Sequence, residues 1–197
     1  MDVNPSDSWQ PGRDLLDAAT AAVSLDRSRF RRKSTTHAVR IQPMQIFPDG
    51  ERVAHISFVT DDLEASTRWF AELFGKPLPE AAESGDPDIV RATYRGTPAA
   101  ASFRMRTFHL ANIDIEFLEP GPEPSIWREF LDWHGPGFHH LSFVTRDRTE
   151  GDVHLRGKGL AVVQEGETAE VPGHYAYYDA QQQLGAFIEL LELREPG

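Results

Sequence analysis

The stretch His55-Ile-Ser-Phe-Val-Thr-Asp-Asp62 recurs as His140-Leu-Ser-Phe-Val-Thr-Arg-Asp147, with six of eight positions identical. A second pair of segments echoes in the same way: Ile115-Glu-Phe-Leu-Glu119 and Ile188-Glu-Leu-Leu-Glu192. The chain therefore contains two copies of one unit, each opening with a histidine and closing with a glutamate. Such internal repetition decides the architecture before any other signal is weighed.

Reading outward from the first copy, residues 53–60 alternate in the manner of a strand. His55, Ser57 and Val59 fall on one face and Ile56 and Phe58 on the other. Asp61 or Asp62 then caps a helix whose apolar stripe is Leu63, Trp69, Phe70, Leu73 and Phe74, stopped by Gly75 and Pro77. Residues 78–88 read as a loop, and strands are expected near 89–95, 101–110 and 113–119. Ser125 caps a linker helix that runs to His134 and stops at Gly135-Pro-Gly137. In the second copy, a first strand begins at His139 or His140. A weaker helix follows near 149–156, then strands near 160–164, 174–179 and 186–192. Each unit is βαβββ. The expected fold is α+β: two βαβββ modules forming a half-open barrel around a shared metal cleft. The modules span 52–120 and 139–192, joined by a linker helix at 121–138, with a partly disordered or helical N-terminal extension at 1–45. Within that extension, 13–30 has helical spacing and 27–40 is locally basic.

Strand parity places His55 with Ser57, and His140 with Ser142, on corresponding faces. Glu116 and Glu189 are each flanked by apolar residues that can pack on the opposite side. An unpaired carboxylate inside such a strand is costly to bury, and a metal ion offsets that cost. The competing reading is a relic of duplication with the glutamates facing solvent.

Composition narrows the field. A net charge of −11 argues against a nucleic-acid phosphate ligand. With no cysteine there are no disulfides, thiolate sites or cysteine nucleophiles, which fits a cytoplasmic protein. No apolar run is long enough to span a membrane, and no secretory signal pattern opens the chain.

Three stretches resemble the vicinal oxygen chelate superfamily of glyoxalases, epimerases, extradiol dioxygenases and bleomycin-resistance proteins. They are His55-Ile-Ser-Phe-Val-Thr-Asp-Asp-Leu-Glu64, Ile115-Glu-Phe-Leu-Glu-Pro120, and Phe130-Leu131 through Gly135-Pro-Gly-Phe-His-His-Leu-Ser-Phe143. The last is most similar to the methylmalonyl-CoA epimerase branch. The resemblance covers roughly 52–192 and implies metal ligands at His55, Glu116, His140 and Glu189. His139 precedes the matching position, so parity points it to the opposite face. One divalent ion (Zn, Ni, Co, Mn, Fe or Mg) is implied, with a small-molecule substrate bearing vicinal oxygens and a CoA thioester among the candidates.

The expected reaction is isomerisation, epimerisation or lyase chemistry. A proton leaves the carbon next to a metal-bound carbonyl, giving an enolate. Glu189 is the first candidate base and Glu116 the second, with His109 a third acid/base candidate. Tyr175, Tyr177, Ser57 and Ser142 are candidate substrate contacts. The alternatives are a ring-cleaving dioxygenase, which needs two histidines and one carboxylate, and a non-catalytic drug-sequestering protein of the same fold. A homodimer is compatible with all three. Trp127 and Trp133 read as packing residues, and Arg104 and Arg106 as solvent-facing.

Overall fold

The computed structural model describes residues 53–169 and 172–193. The expectations for the N-terminal extension lie outside the described residues. The first module runs β1 (Val53–Val59), α1 (Leu63–Phe74), β2 (Ala82–Glu83), α2 (Pro87–Val90), β3 (Thr93–Tyr94), β4 (Thr97–Pro98), β5 (Phe103–His109) and β6 (Asp114–Pro120). After α3 (Ile126–His134) come β7 (Gly137–Thr145), α4 (Arg148–Gly157), β8 (Val162–Glu167), β9 (Gly173–Ala180), α5 (Gln181–Leu184) and β10 (Ala186–Leu193).

The strands form one ten-stranded mixed sheet in the order β2-β5-β6-β1-β7-β10-β9-β8-β3-β4, curled into a half-barrel. Its centre carries the duplication. The two repeated strands, β1 and β7, pair antiparallel, and each has the last strand of its own module, β6 or β10, parallel on its other side. In both modules the register sets the repeated serine beside the repeated glutamate: Ser57 against Glu116, and Ser142 against Glu189.

The helices form where their caps dictate. The Asp62 carboxylate accepts the Ala65 amide at the start of α1, and Gly75 closes it in the left-handed conformation at φ 60°. Asp147 accepts from Glu150 and Ser125 from Arg128 in the same way. Helix α1 covers the outer face of its module: Phe70 packs at a tilt against Phe108 and edge-on against Phe117, beside Ile56 and Phe58. On the second module, Leu155 of α4 packs with Leu190, Tyr178 and Ile188. The concave side holds the third apolar cluster, where Val59, Leu118, Trp127 and Leu131 meet Tyr175, Tyr177 and Phe187. Burying each large side chain contributes about 1.5–3 kcal/mol, so helix α3 fastens the two halves through Trp127 and Leu131.

Three expectations are corrected. The strand expected at 89–95 is instead helix α2 followed by the short β3–β4 hairpin. Asp86 caps that helix through the Asp88 amide and Pro87 occupies its first turn, so the backbone is committed to a turn. The hairpin then leaves its own module and pairs β3 with β8 of the other, while β2 pairs with β5. Arg104 and Arg106 do not face solvent freely. Both reach Glu64 on α1, at 3.0 Å, and the Arg106 side chain is only 11% exposed. His139 does not turn to the outer face. The β1–β7 register slips by one residue between His140 and Phe138, and the extra residue of this bulge is His139. Its ring lies against Phe130, Phe187 and Tyr177 on the concave side.

Candidate metal centre and cavity

His55 from β1, His140 from β7 and Glu189 from β10 converge from three adjacent central strands. His55 Nε2 stands 3.0 Å from His140 Nε2 and 3.1 Å from Glu189 Oε2, and the remaining edge, His140 Nε2 to Glu189 Oε2, is 3.6 Å. Ligands about 2.1 Å from a common ion, at angles of about 90–120°, would span these separations. The donor set therefore fits a divalent metal. His140 is fully buried and Glu189 nearly so, and Glu189 Oε2 finds no hydrogen-bond donor among the described groups apart from these rings.

The electrostatics match the geometry. Burial works to lower the His55 pKa, but the Glu116 and Glu189 carboxylates outweigh it and raise it from 6.5 to about 9. Burial raises the pKa of Glu189, and its contacts with His140 and His55 reverse this, holding it well below the usual carboxylate range. Without a metal, the cluster is thus an imidazolium–carboxylate pair, and a cation entering it displaces a proton. Behind the ligands, His139 Nδ1 lies 2.9 Å from His140 Nδ1, with both rings buried. Burial, followed by the neighbouring His140, keeps the His139 pKa well below 6.5, so this ring is neutral.

Glu116 lies in the same cavity but outside the three-residue cluster. Its Oε1 accepts the Ser57 hydroxyl at 2.7 Å. The second module breaks this symmetry. Glu189 turns to the histidines, and the Ser142 hydroxyl, although aligned with it in register, is buried with no hydrogen-bond partner among the described residues. Tyr177 pairs with Glu189 across β9 and β10, and burial, with the Glu189 carboxylate beside it, raises the tyrosine pKa well above 10. Both Tyr175 and Tyr177 line the cavity. His109 sits at the open end of β5, paired with Asp114 at 2.9 Å and with 78% of its side chain exposed. Of those two, Asp114 lines the cavity.

The cavity measures about 350 Å³. Besides the expected residues it is lined by Glu83, Thr107, Asp114, Met105, Phe103 and Trp127. Thr107 and Asp114 share strand parity with Glu116 and were legible on that ground. Glu83 was not, because its strand is two residues long and sits in a stretch rich in turn residues. Trp127 reads from sequence as helix packing, and nothing local shows that it also faces the cleft.

The sequence profile of the Glyoxalase/Bleomycin resistance protein/Dioxygenase superfamily matches residues 50–178. No curated protein matches the chain in sequence. Similar solved structures include methylmalonyl-CoA epimerase from Mycobacterium tuberculosis. That structure has 20% identity and a TM-score of 0.56, over 80% of this chain and 96% of that one. A methylmalonyl-CoA epimerase in complex with methylmalonyl-CoA and NH4+ is similar at 20% identity and TM-score 0.53, over 73% and 95%. A hypothetical protein from Bacillus halodurans C-125 is similar at 17% identity and TM-score 0.54, over 74% and 96%. At such identities these likenesses speak for the fold. Together with the profile match over most of the chain, the paired modules and their histidine–glutamate cleft identify the chain as a member of the glyoxalase/bleomycin resistance protein/dioxygenase superfamily.

Proposed function

We propose that the protein is a divalent-metal-dependent enzyme that removes a proton from the carbon beside a carbonyl, as an isomerase, epimerase or lyase. The observation that carries this reading is the convergence of His55, His140 and Glu189 within 4.8 Å, with Glu116 anchored on the wall of the same cavity. A bound divalent ion supplies Lewis acidity for two oxygens of the substrate. The chain's own residues supply the rest. Glu116 has one oxygen fixed by Ser57, which leaves the other free to take a proton from a carbon held over the cluster. Glu189, wedged between two imidazoles, is the second carboxylate able to carry a proton once its histidine contacts are relieved. Tyr177 and Tyr175 wall the space and exclude water. In this reading residues 52–120 and 139–192 are the modules that build the site, joined by 121–138, and the protein acts on a small molecule in the cytoplasm. Similarity to an epimerase solved with methylmalonyl-CoA keeps a CoA thioester among the candidate substrates.

The test is solvent-deuterium exchange into α-hydroxyketone and 1,3-dicarbonyl compounds, followed by NMR with metal-loaded protein. Glu116→Gln and Glu189→Gln should each slow exchange, the essential one by about 10²–10⁴-fold. Exchange untouched by both changes would sink the proposal.

One observation favours a second reading. With Glu116 held by Ser57, the converging set is two histidines and one carboxylate, the donor set of ferrous oxygenases with open positions. Oxygen consumption by the iron-loaded protein with a catechol, abolished in His140→Ala, would move the assignment to ring cleavage.

A further inference from the structure

His139 is fully buried, yet it belongs neither to the three-residue cluster nor to the cavity wall. Its ring lies edge-on to Phe130 and tilted over Phe187, at centroid distances of 5.1 and 4.8 Å, and the bulge in β7 sets its direction. A phenylalanine would suit such surroundings, whereas an imidazole brings two polar atoms into them. One of these, Nε2, has no hydrogen-bond partner among the described residues, and a buried polar atom left unpaired is destabilising. The other, Nδ1, lies 2.9 Å from His140 Nδ1.

Counting hydrogens gives that contact a direction. A carboxylate oxygen only accepts, so the 3.1 Å contact between His55 Nε2 and Glu189 Oε2 puts a hydrogen on His55 Nε2. His140 Nε2 lies 3.0 Å from the same His55 atom. One hydrogen serves such a distance, so His140 Nε2 presents its lone pair to the cluster. Its 3.6 Å separation from Glu189 Oε2 is too long for a hydrogen bond of its own. With Nε2 bare, the His140 hydrogen sits on Nδ1 and is donated to His139 Nδ1. The lone pair that a metal takes and the N–H that His139 accepts are two ends of one tautomer.

The two copies of the repeat differ at this point. His140 follows His139, whereas His55 follows Ala54, which carries no ring. The difference tracks exposure. The His55 side chain is 17% exposed and within reach of water, whereas that of His140 is 0% exposed and must find its acceptor inside the protein.

Resting on the metal-site reading above, we propose that His139 is a positioning residue: by accepting the His140 Nδ1–H, it holds that ring in the tautomer and rotation that offer Nε2 to a divalent cation. Ligating histidines are commonly held through their second nitrogen by a carboxylate, a carbonyl or water. Here another imidazole takes that place, brought there by a one-residue bulge.

The experiment uses the full chain. Zinc affinity is read by competition with a chromophoric chelator, Tm by calorimetry of the metal-free protein, and the tautomer by two-bond proton–nitrogen NMR of the imidazoles. In the unsubstituted, metal-free protein, His140 should be protonated at Nδ1 and bare at Nε2. His139→Phe keeps a ring in the same surroundings and removes the acceptor. It exchanges one orphan, His139 Nε2, for another, His140 Nδ1, so Tm should change little. Zinc affinity should nevertheless fall about 10–100-fold, with His140 spread over both tautomers. His139→Asn returns an acceptor near the lost Nδ1 but leaves a void. It should lower Tm and still recover most of the lost affinity. The proposal is overturned by His139→Phe binding zinc as tightly as the unsubstituted protein, or by His139→Asn binding no better than His139→Phe. His140 protonated at Nε2 in the unsubstituted protein overturns it too. An unsubstituted chain that takes up no zinc overturns the metal-site reading beneath it instead.

Discussion

Two residues that look equivalent in the repeat behave differently in the folded protein. Ser57 donates to Glu116, whereas Ser142 is left without its glutamate because Glu189 has gone to the histidines. The three-residue cluster follows from that divergence, and His140 is its least exposed member. Elemental analysis of protein purified with a divalent ion should find one ion per chain, and His140→Ala should find none. Equal metal in both proteins would remove the site. The charge state of His55 gives a second expectation. Its folded pKa, about 9, is above the ordinary 6.5, so its ion pair stabilises the metal-free fold fully below about pH 6.5 and loses this as pH rises through 9. Scanning calorimetry of the metal-free protein should show Tm falling between pH 6.5 and 9, and His55→Gln should flatten that slope. Metal affinity should move oppositely, rising over the same range as the competing proton leaves.

At the level of elements, the site depends on how closely helices approach the strands that carry it. Helix α4 lies on β10 at Gly151, where an added Cβ would fall 2.6 Å from the Leu190 side chain, next to Glu189. Gly151→Val should therefore overpack this contact and cost about 1–3 kcal/mol in chemical denaturation, with weakened metal uptake because β10 is displaced. Loss of a cap is milder: Asp62→Ala should cost about 0.5–2 kcal/mol and leave metal content unchanged, since α1 packs on the face away from the cluster. A metal loss in Asp62→Ala as large as in Gly151→Val would show that the site does not depend on local packing. Bulges also act at this level. The one-residue slip at His139 turns two consecutive histidines toward the concave side, which alternation alone forbids.

At the level of the whole molecule, the donors come from both modules: β1 supplies His55, while β7 and β10 supply His140 and Glu189. Binding should therefore clamp the two halves together. Zinc at about one hundred times its dissociation constant should stabilise the fold by about 2.7 kcal/mol, read as a rise in Tm that is absent in His140→Ala. An equal rise in that variant would place the ion elsewhere.

Much of this architecture was legible because duplication leaves two readable copies. Helix caps at Asp62, Ser125 and Asp147, the alternation of β1 and the identity of the histidine and glutamate strands all follow from local patterns of period two or 3.6. The hairpin at Thr93–Pro98 was not legible, because its partner strand, β8, lies in the other module, some seventy residues further along the chain. Sequence by itself determined the family, the paired modules and the set of four inward residues, since each is encoded in side-chain order along single strands. Only the tertiary structure decided that three of the four converge while Ser57 retains Glu116, that His139 turns inward, and that Trp127 joins the wall of an acidic cavity. Those outcomes depend on register, on a bulge and on distances between strands remote in sequence, where competing hydrogen bonds are chosen by geometry rather than by residue type.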